Sequence, residues 1–380
     1  MKKIYLDHAA TTPLNPIAYE KMKPFLGDLY GNPSSVHEMG AYAKKAINEA
    51  RKKISTLLNC KPAELFFTSG GTEATNWAIL GYADKNPSKK EIIISQIEHH
   101  ATIHTCDYLE KKGYVIHRLG VDLEGFIDLK KLEMTINSNT LMVSLIWGNN
   151  EIGTIQDIDS IQKICQKNHI VLHIDAVQMI GNQKIDLREL EIDLMTFSAH
   201  KFYGPKGIGM LYKKDSIEIE NLIHGGMQEK GMRSGTENVS GIIGLAEALE
   251  QSFKSLDAYR KHLSLLSENL YHLLKEKLPR IRLNGPKIGL NRLPGILSLS
   301  LDHIRSFDLA FALDQEHIYV STGSACNATD IKPSHVLRAI HQKDIEETGT
   351  IRVSFGVQNR LEDNEYIAQK IIECYRQNKQ

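Results

Sequence analysis

Short apolar runs rich in β-branched and aromatic residues alternate with longer amphipathic stretches through the first two-thirds of the chain. The runs predict strands at 64–68, 91–95, 114–119, 141–147, 170–175, 194–197 and near 209. Between them, residues 41–58 carry Ala43, Ala46, Ile47, Ala50, Ile54 and Leu57 largely on one helical face. Residues 73–82, 101–112 and 158–168 predict further helices. Strands that are apolar throughout are buried on both faces, so this alternation predicts a largely parallel sheet covered by helices. A long helical region at 239–277 then leads to strands at 297–301, 318–321 and 351–355. Residues 1–40 are small, polar and interrupted by Pro13, Pro16, Pro24 and Pro33, and are expected to be irregular. The expected architecture is α/β. A large domain (13–255) holds a mostly parallel seven-stranded sheet covered by helices, and a smaller α+β domain is built from 1–12 and 256–380.

Charge removes some classes of function. The 46 Lys and Arg residues balance 46 Asp and Glu, which argues against nucleic acid as the main partner and gives no support for a membrane surface. No apolar run approaches the length of a membrane span, and the start, Met1 to His8, has no signal-peptide pattern, so a cytoplasmic protein is expected. Five scattered cysteines with no Cys-x-x-Cys pair form neither a disulfide framework nor a zinc set. The sixteen histidines supply no convincing ligand spacing, and no resident metal is expected.

Chemistry in such folds gathers where strands end. One run ends in Asp175, with Gln178 a turn later; the next ends in Ser198, His200 and Lys201. A lysine set against Phe202 and Tyr203 is poorly solvated, which lowers its pKa and exposes an amine able to form a Schiff base. Such a lysine beside a strand-end carboxylate suits pyridoxal phosphate: the amine holds the aldehyde and the aspartate keeps the pyridine nitrogen protonated. Ser69-Gly70-Gly71-Thr72, between a strand and a helix, has the form of an anion site without the lysine or spacing of a nucleotide loop. His99 stands at a strand-to-helix junction and can face a cleft. Residues 148–153 form a polar loop at a similar position. Cys326 lies among small residues at 322–328, as a flexible carrier loop requires, and residues 325–332 are expected to move; Cys165 lies instead in an apolar helical run.

Taken in order, these stretches resemble the pyridoxal phosphate-dependent cysteine desulfurases of the NifS/IscS type, of fold type I and the class V aminotransferase group. The shared stretches are Tyr-Leu-Asp-His-Ala-Ala-Thr-Thr at 5–12, Gly-Asn-Pro-Ser at 31–34, Thr-Ser-Gly-Gly-Thr-Glu at 68–73, Glu98-His99 and Asn-Asn-Glu-Ile-Gly at 149–153. They continue with Ile-Asp-Ala-Val-Gln at 174–178, the Ser198 to Gly207 stretch around His200-Lys201, Gly-Met-Arg-Ser-Gly-Thr at 231–236, Ser-Ala-Cys at 324–326 and Ile-Arg-Val-Ser at 351–354. They span nearly the whole chain.

The resemblance implies roles. Lys201 would carry the cofactor and shuttle the Cα proton. Asp175 would pair with the pyridinium, while Gln178 and Asn150 would bond near the phenolic oxygen. Gly71, Thr72, Ser198 and His200 would hold the phosphate. Thr236 would reach the phosphate of the partner subunit's cofactor, which implies a homodimer. His99 would stack on the ring and act in acid–base steps. Arg352 would bind the carboxylate of L-cysteine, with Asn32 near it. Cys326 would take the sulfur as a persulfide and deliver it to an acceptor such as an iron–sulfur scaffold, where it would transiently contact a cluster. The cofactor residues by themselves would equally serve an aminotransferase or a selenocysteine lyase; Cys326 favours the desulfurase, since transamination needs no thiol.

Overall fold

The computed structural model describes residues 2–322, 334–340 and 348–379. Its main sheet has seven strands in the spatial order Leu65–Thr68, Gly209–Lys213, Leu194–Ser198, Val171–Asp175, Thr140–Ile146, Glu91–Ser95 and Val115–Leu119. Gly209–Lys213 runs antiparallel to both neighbours and the remaining pairs are parallel. These are the seven strands expected from the apolar runs. Thr140–Ile146 and Leu194–Ser198 are buried along their whole length, which is why the sequence shows no polar alternation there.

Helices Glu38–Leu57, Gly71–Lys85, His100–Lys111, Ile158–Lys167 and Val239–Lys254 flank the sheet. The helical region expected at 239–277 is two helices, Val239–Lys254 and Leu256–Lys277, divided at Ser255. A second sheet orders Thr348–Ser354, Ile296–Asp302 and Arg282–Asn284 antiparallel. Its core gathers Ile4 and Leu6 with Leu266, Leu270, Leu299, Val353 and Ile371.

The first forty residues are more ordered than expected. Ile4–Tyr5 pairs in parallel with Ile318–Tyr319, a strand too short to leave a periodic signal. Pro16–Met22 is a helix whose N-cap, Asn15, accepts from the Ile17 and Ala18 amides at 2.8 and 3.2 Å. An Asn cap followed by Pro in the first turn is a readable helix start. The segment expected to carry Cys326 lies outside the described residues.

A polar chain crosses the middle of the main sheet. His173 sits on Val171–Asp175, with Nδ1 2.8 Å from Ser144 Oγ and Nε2 2.9 Å from Thr196 Oγ1, so both ring nitrogens are satisfied in the interior. Full burial pushes the imidazole pKa down from 6.5 to about 3. A histidine held neutral in this way contributes stability that is complete above its unfolded pKa and is lost as pH falls toward the folded value. The loss attributable to one such group is about 2 kcal/mol by pH 5. Denaturant unfolding of the native chain should therefore weaken by about this much more between pH 8 and pH 5 than unfolding of His173→Gln. Parallel pH curves for the two proteins would contradict it.

Candidate active site

The carboxyl ends of Thr140–Ile146, Val171–Asp175 and Leu194–Ser198 open into a cavity of about 300 Å³. The starts of helices Gly71–Lys85 and His100–Lys111 form its sides, and Arg352 reaches it from Thr348–Ser354.

Lys201 is placed by a tight turn. After Ser198 the chain makes a single 3-10 turn, Ala199–Lys201, and Tyr203 follows in the left-handed region at φ 65°. A tyrosine there is strained and persists only because its surroundings hold it. Here the Tyr203 amide donates to Thr12 Oγ1 at 2.9 Å, and the Tyr203 carbonyl accepts from the Asn15 amide at 2.8 Å. The Lys201 ammonium nitrogen donates to the carbonyls of Ala9 and Ala10 at 2.6 and 2.8 Å. Gln178 Nε2 donates to the same Ala9 carbonyl at 2.9 Å.

Asp175 is buried, and its Oδ1 accepts from the Val177 amide at 2.9 Å. Burial pushes its carboxyl up to about 6, against the pull of that amide and of Lys201. A carboxyl in this state gains from a cationic partner inside the cavity. Across from it, helix Gly71–Lys85 starts at Gly70 with no side-chain cap, so its first amides and its dipole face the cavity beside Thr72 and Ser198. A Cβ on Gly71 would lie 2.9 Å from Val177 Cγ2, so glycine keeps this cradle open.

Of the four histidines that line the cavity, His99 and His200 are held neutral by burial. His99 caps helix His100–Lys111, its Nδ1 accepting from the Ala101 amide at 3.1 Å, which leaves the ring hydrogen on Nε2. Burial, then Lys201, push its pKa down to about 4. Burial and the same lysine bring His200 down to about 4, and its Nδ1 lies 3.1 Å from Thr11 Oγ1. Arg352 donates from Nη1 to the Asn150 carbonyl at 2.9 Å and from Nη2 to Asp7 Oδ1 at 2.7 Å.

This donor set fits pyridoxal phosphate: an amine for the aldehyde, a buried carboxyl that favours a cation, and an uncapped helix start for the phosphate. The Aminotransferase class-V family model matches residues 4–367. The chain belongs to the class-V aminotransferase family. Members of this family depend on pyridoxal phosphate, and the residues above are disposed to hold it. The chain is 43% identical over 380 residues to Cysteine desulfurase IscS of Clostridium botulinum, covering 100% of this chain and 96% of that protein. It is also 43% identical to Cysteine desulfurase IscS of Dictyoglomus turgidum, over 99% of this chain and 96% of the relative. Among solved structures it is similar to a NifS-like protein, with TM-score 0.92, 38% identity and coverage of 98% of this chain and 99% of the other. It is similar too to SspA solved in complex with cysteine, with TM-score 0.80, 34% identity and coverage of 93% and 99%. The expected α/β architecture of fold type I agrees with these structures.

Of the residues singled out from sequence, Gly71, Thr72, His99, Asn150, Asp175, Gln178, Ser198, His200, Lys201 and Arg352 all border this one cavity. Asn32 and Thr236 do not; both are exposed, and Thr236 lines a separate depression with Gly235 and Arg233. Cys326 lies outside the described residues.

The cavity also has walls to which sequence reasoning gave no role. Glu98 is buried, accepts from Ser95 Oγ at 2.5 Å, and is pushed up to about 8 by burial. Glu151 accepts from Ser334 Oγ at 2.5 Å and is pushed up to about 7, again by burial. His335 Nε2 lies 2.9 Å from the Glu98 carbonyl. Glu98 and Glu151 fall inside conspicuous motifs, whereas nothing around His335 marked it.

Gly71→Ala should test the cradle. Its backbone is already helical, which favours alanine, but the methyl would press on Val177 Cγ2, so denaturant unfolding measured alongside separates a packing cost of about 1–3 kcal/mol from lost binding. The added methyl should weaken pyridoxal phosphate binding to the cofactor-depleted protein by about tenfold, followed by absorbance titration. An unchanged dissociation constant would remove Gly71 from the site.

Proposed function

We propose that this protein is a pyridoxal phosphate-dependent cysteine desulfurase that converts L-cysteine to L-alanine and takes the sulfur onto Cys326 as a persulfide. The observation that carries the reading is the meeting of the Lys201 amine, the Asp175 carboxyl and the Arg352 guanidinium in one cavity. Relatives that match the whole chain are named cysteine desulfurases, and a similar structure was solved with cysteine.

Pyridoxal phosphate, when bound, supplies an electron sink for the charge that develops on the substrate's carbon atoms. The chain supplies the rest. Asp175 holds a positive charge at its buried carboxylate. The Gly71–Thr72 helix start, with Ser198 and His200, would hold the phosphate, and Gln178 and Asn150 would bond near the phenolic oxygen. Arg352 takes the substrate carboxylate through charge-assisted hydrogen bonds. Lys201, aimed by the Ala9 and Ala10 carbonyls, moves the α proton, and the neutral His99 exchanges a proton at Nε2.

In the sulfur step the Cys326 thiolate attacks the substrate sulfur. An S–S bond forms and the Cβ–S bond breaks, its electron pair passing to the substrate carbon, which a proton completes as the alanine methyl. The other cysteines support this assignment. Burial raises the thiols of Cys60, Cys106 and Cys165 to about 12 and also raises Cys374, so all four are held as poor nucleophiles. The same thiol favours desulfuration over transamination.

We also infer a domain division at 13–255 and 1–12 with 256–380, which puts the cavity at the junction of the two cores. Thr236, Asn32 and the exposed Tyr30, Val36 and Met227 support a homodimer in which Thr236 serves the neighbouring cofactor. Sedimentation showing a fully active monomer would overturn that arrangement. The sulfur acceptor is a second protein such as an iron–sulfur scaffold, and the expected location is the cytoplasm.

Cys326→Ser tests the main reading. It should keep the cofactor absorbance and its change on adding L-cysteine, yet form less than about 1% of the native alanine and no persulfide by mass spectrometry. Full activity in this variant, with the persulfide on Cys60 or Cys106, would refute it.

A further inference from the structure

The guanidinium of Arg352 is almost wholly inside the protein, with its side chain 3% exposed. A buried cation needs a counter-charge, and the group that supplies one also decides where the cation stands. Asp7 accepts from Nη2 at 2.7 Å, the Asn150 carbonyl accepts from Nη1 at 2.9 Å, and Nε is buried with no partner among the described residues. Two anchored amines therefore fix the plane of the guanidinium and leave further N–H groups for a ligand.

Asp7 is itself held firmly. It forms a parallel bridge with Ser354, two residues beyond Arg352 on the same strand, and its carbonyl accepts from Tyr5 Oη at 3.0 Å. The next residues, Ala9 and Ala10, supply the carbonyls that hold Lys201. A second carboxyl, Glu151, is buried, lies within electrostatic reach of Arg352 and is tied to Ser334. The guanidinium thus pairs with one acid while a second lies within its electrostatic reach.

We propose that Asp7 is a positioning residue for substrate recognition: it holds the Arg352 guanidinium in place for an amino acid's carboxylate and keeps it from turning toward Glu151. The proposal rests on the reading that Arg352 binds that carboxylate. Removing Asp7 leaves Glu151 as the remaining acid, so the cation reorients and the carboxylate subsite is lost, while the amine and sulfur subsites stay.

The experiment compares two probes on the dimeric, cofactor-loaded protein: L-cysteine, and cysteamine, which has the same amine and thiol and no carboxylate. Binding is read from the change in cofactor absorbance, and kcat and KM are measured for L-cysteine. Arg352→Ala should abolish the preference for L-cysteine over cysteamine. Asp7→Ala should raise the L-cysteine KM and dissociation constant by about tenfold or more and leave cysteamine binding unchanged. Asp7→Asn, which keeps an acceptor oxygen and guards against a folding defect, should fall between native and Asp7→Ala. If Asp7→Ala shifts both probes equally, or neither, while Arg352→Ala removes the preference, the positioning role is wrong and the carboxylate subsite stands. If Arg352→Ala keeps the preference, the underlying reading of Arg352 fails with it.

Discussion

One polar segment, Asp7 to Thr12, lies across the junction of the two cores and touches the chemical groups on both sides. Asp7 pairs with Arg352, Ala9 and Ala10 accept from Lys201, Thr11 meets His200, and Thr12 accepts from the strained Tyr203. Ala9 N in turn donates to Ser354 Oγ at 2.9 Å, which ties the segment to the strand that carries Arg352. The position of the lysine relative to the arginine is thus set through a few residues of backbone. Catalysis that depends on holding an amine, a ring and a carboxylate in one geometry requires such a constraint.

Burial sets the protonation states around that segment. It keeps His99 and His200 neutral and raises Asp175, Glu98 and Glu151. Acids and bases with displaced pKa values in one cavity are what proton transfer near neutral pH requires. In the same sheet, His173 with Ser144 and Thr196 supplies a satisfied polar chain.

Much of this was legible in the chain. Doubly buried strands write themselves as continuous β-branched runs, so the main sheet could be read, and strand-end polar residues pointed to Lys201 and Asp175. Other features depend on distant partners. Ile4–Tyr5 is a strand only because Ile318–Tyr319 lies beside it. The break at Ser255 interrupts a helical pattern that is amphipathic on both sides. Asp7 and Glu151 lay within visible motifs, but their roles follow from contacts with Arg352 and Ser334, hundreds of residues away in one case. Asn32 and Thr236 stand outside the cavity that gathers the other expected site residues.

On this reading, Lys201 is the amine that carries the cofactor in this cavity. Borohydride reduction of the purified, cofactor-loaded protein, followed by peptide mass mapping, tests this most directly. A pyridoxyl-phosphate modification on Lys201 is the expected result. Modification of a different lysine, or none, would contradict it.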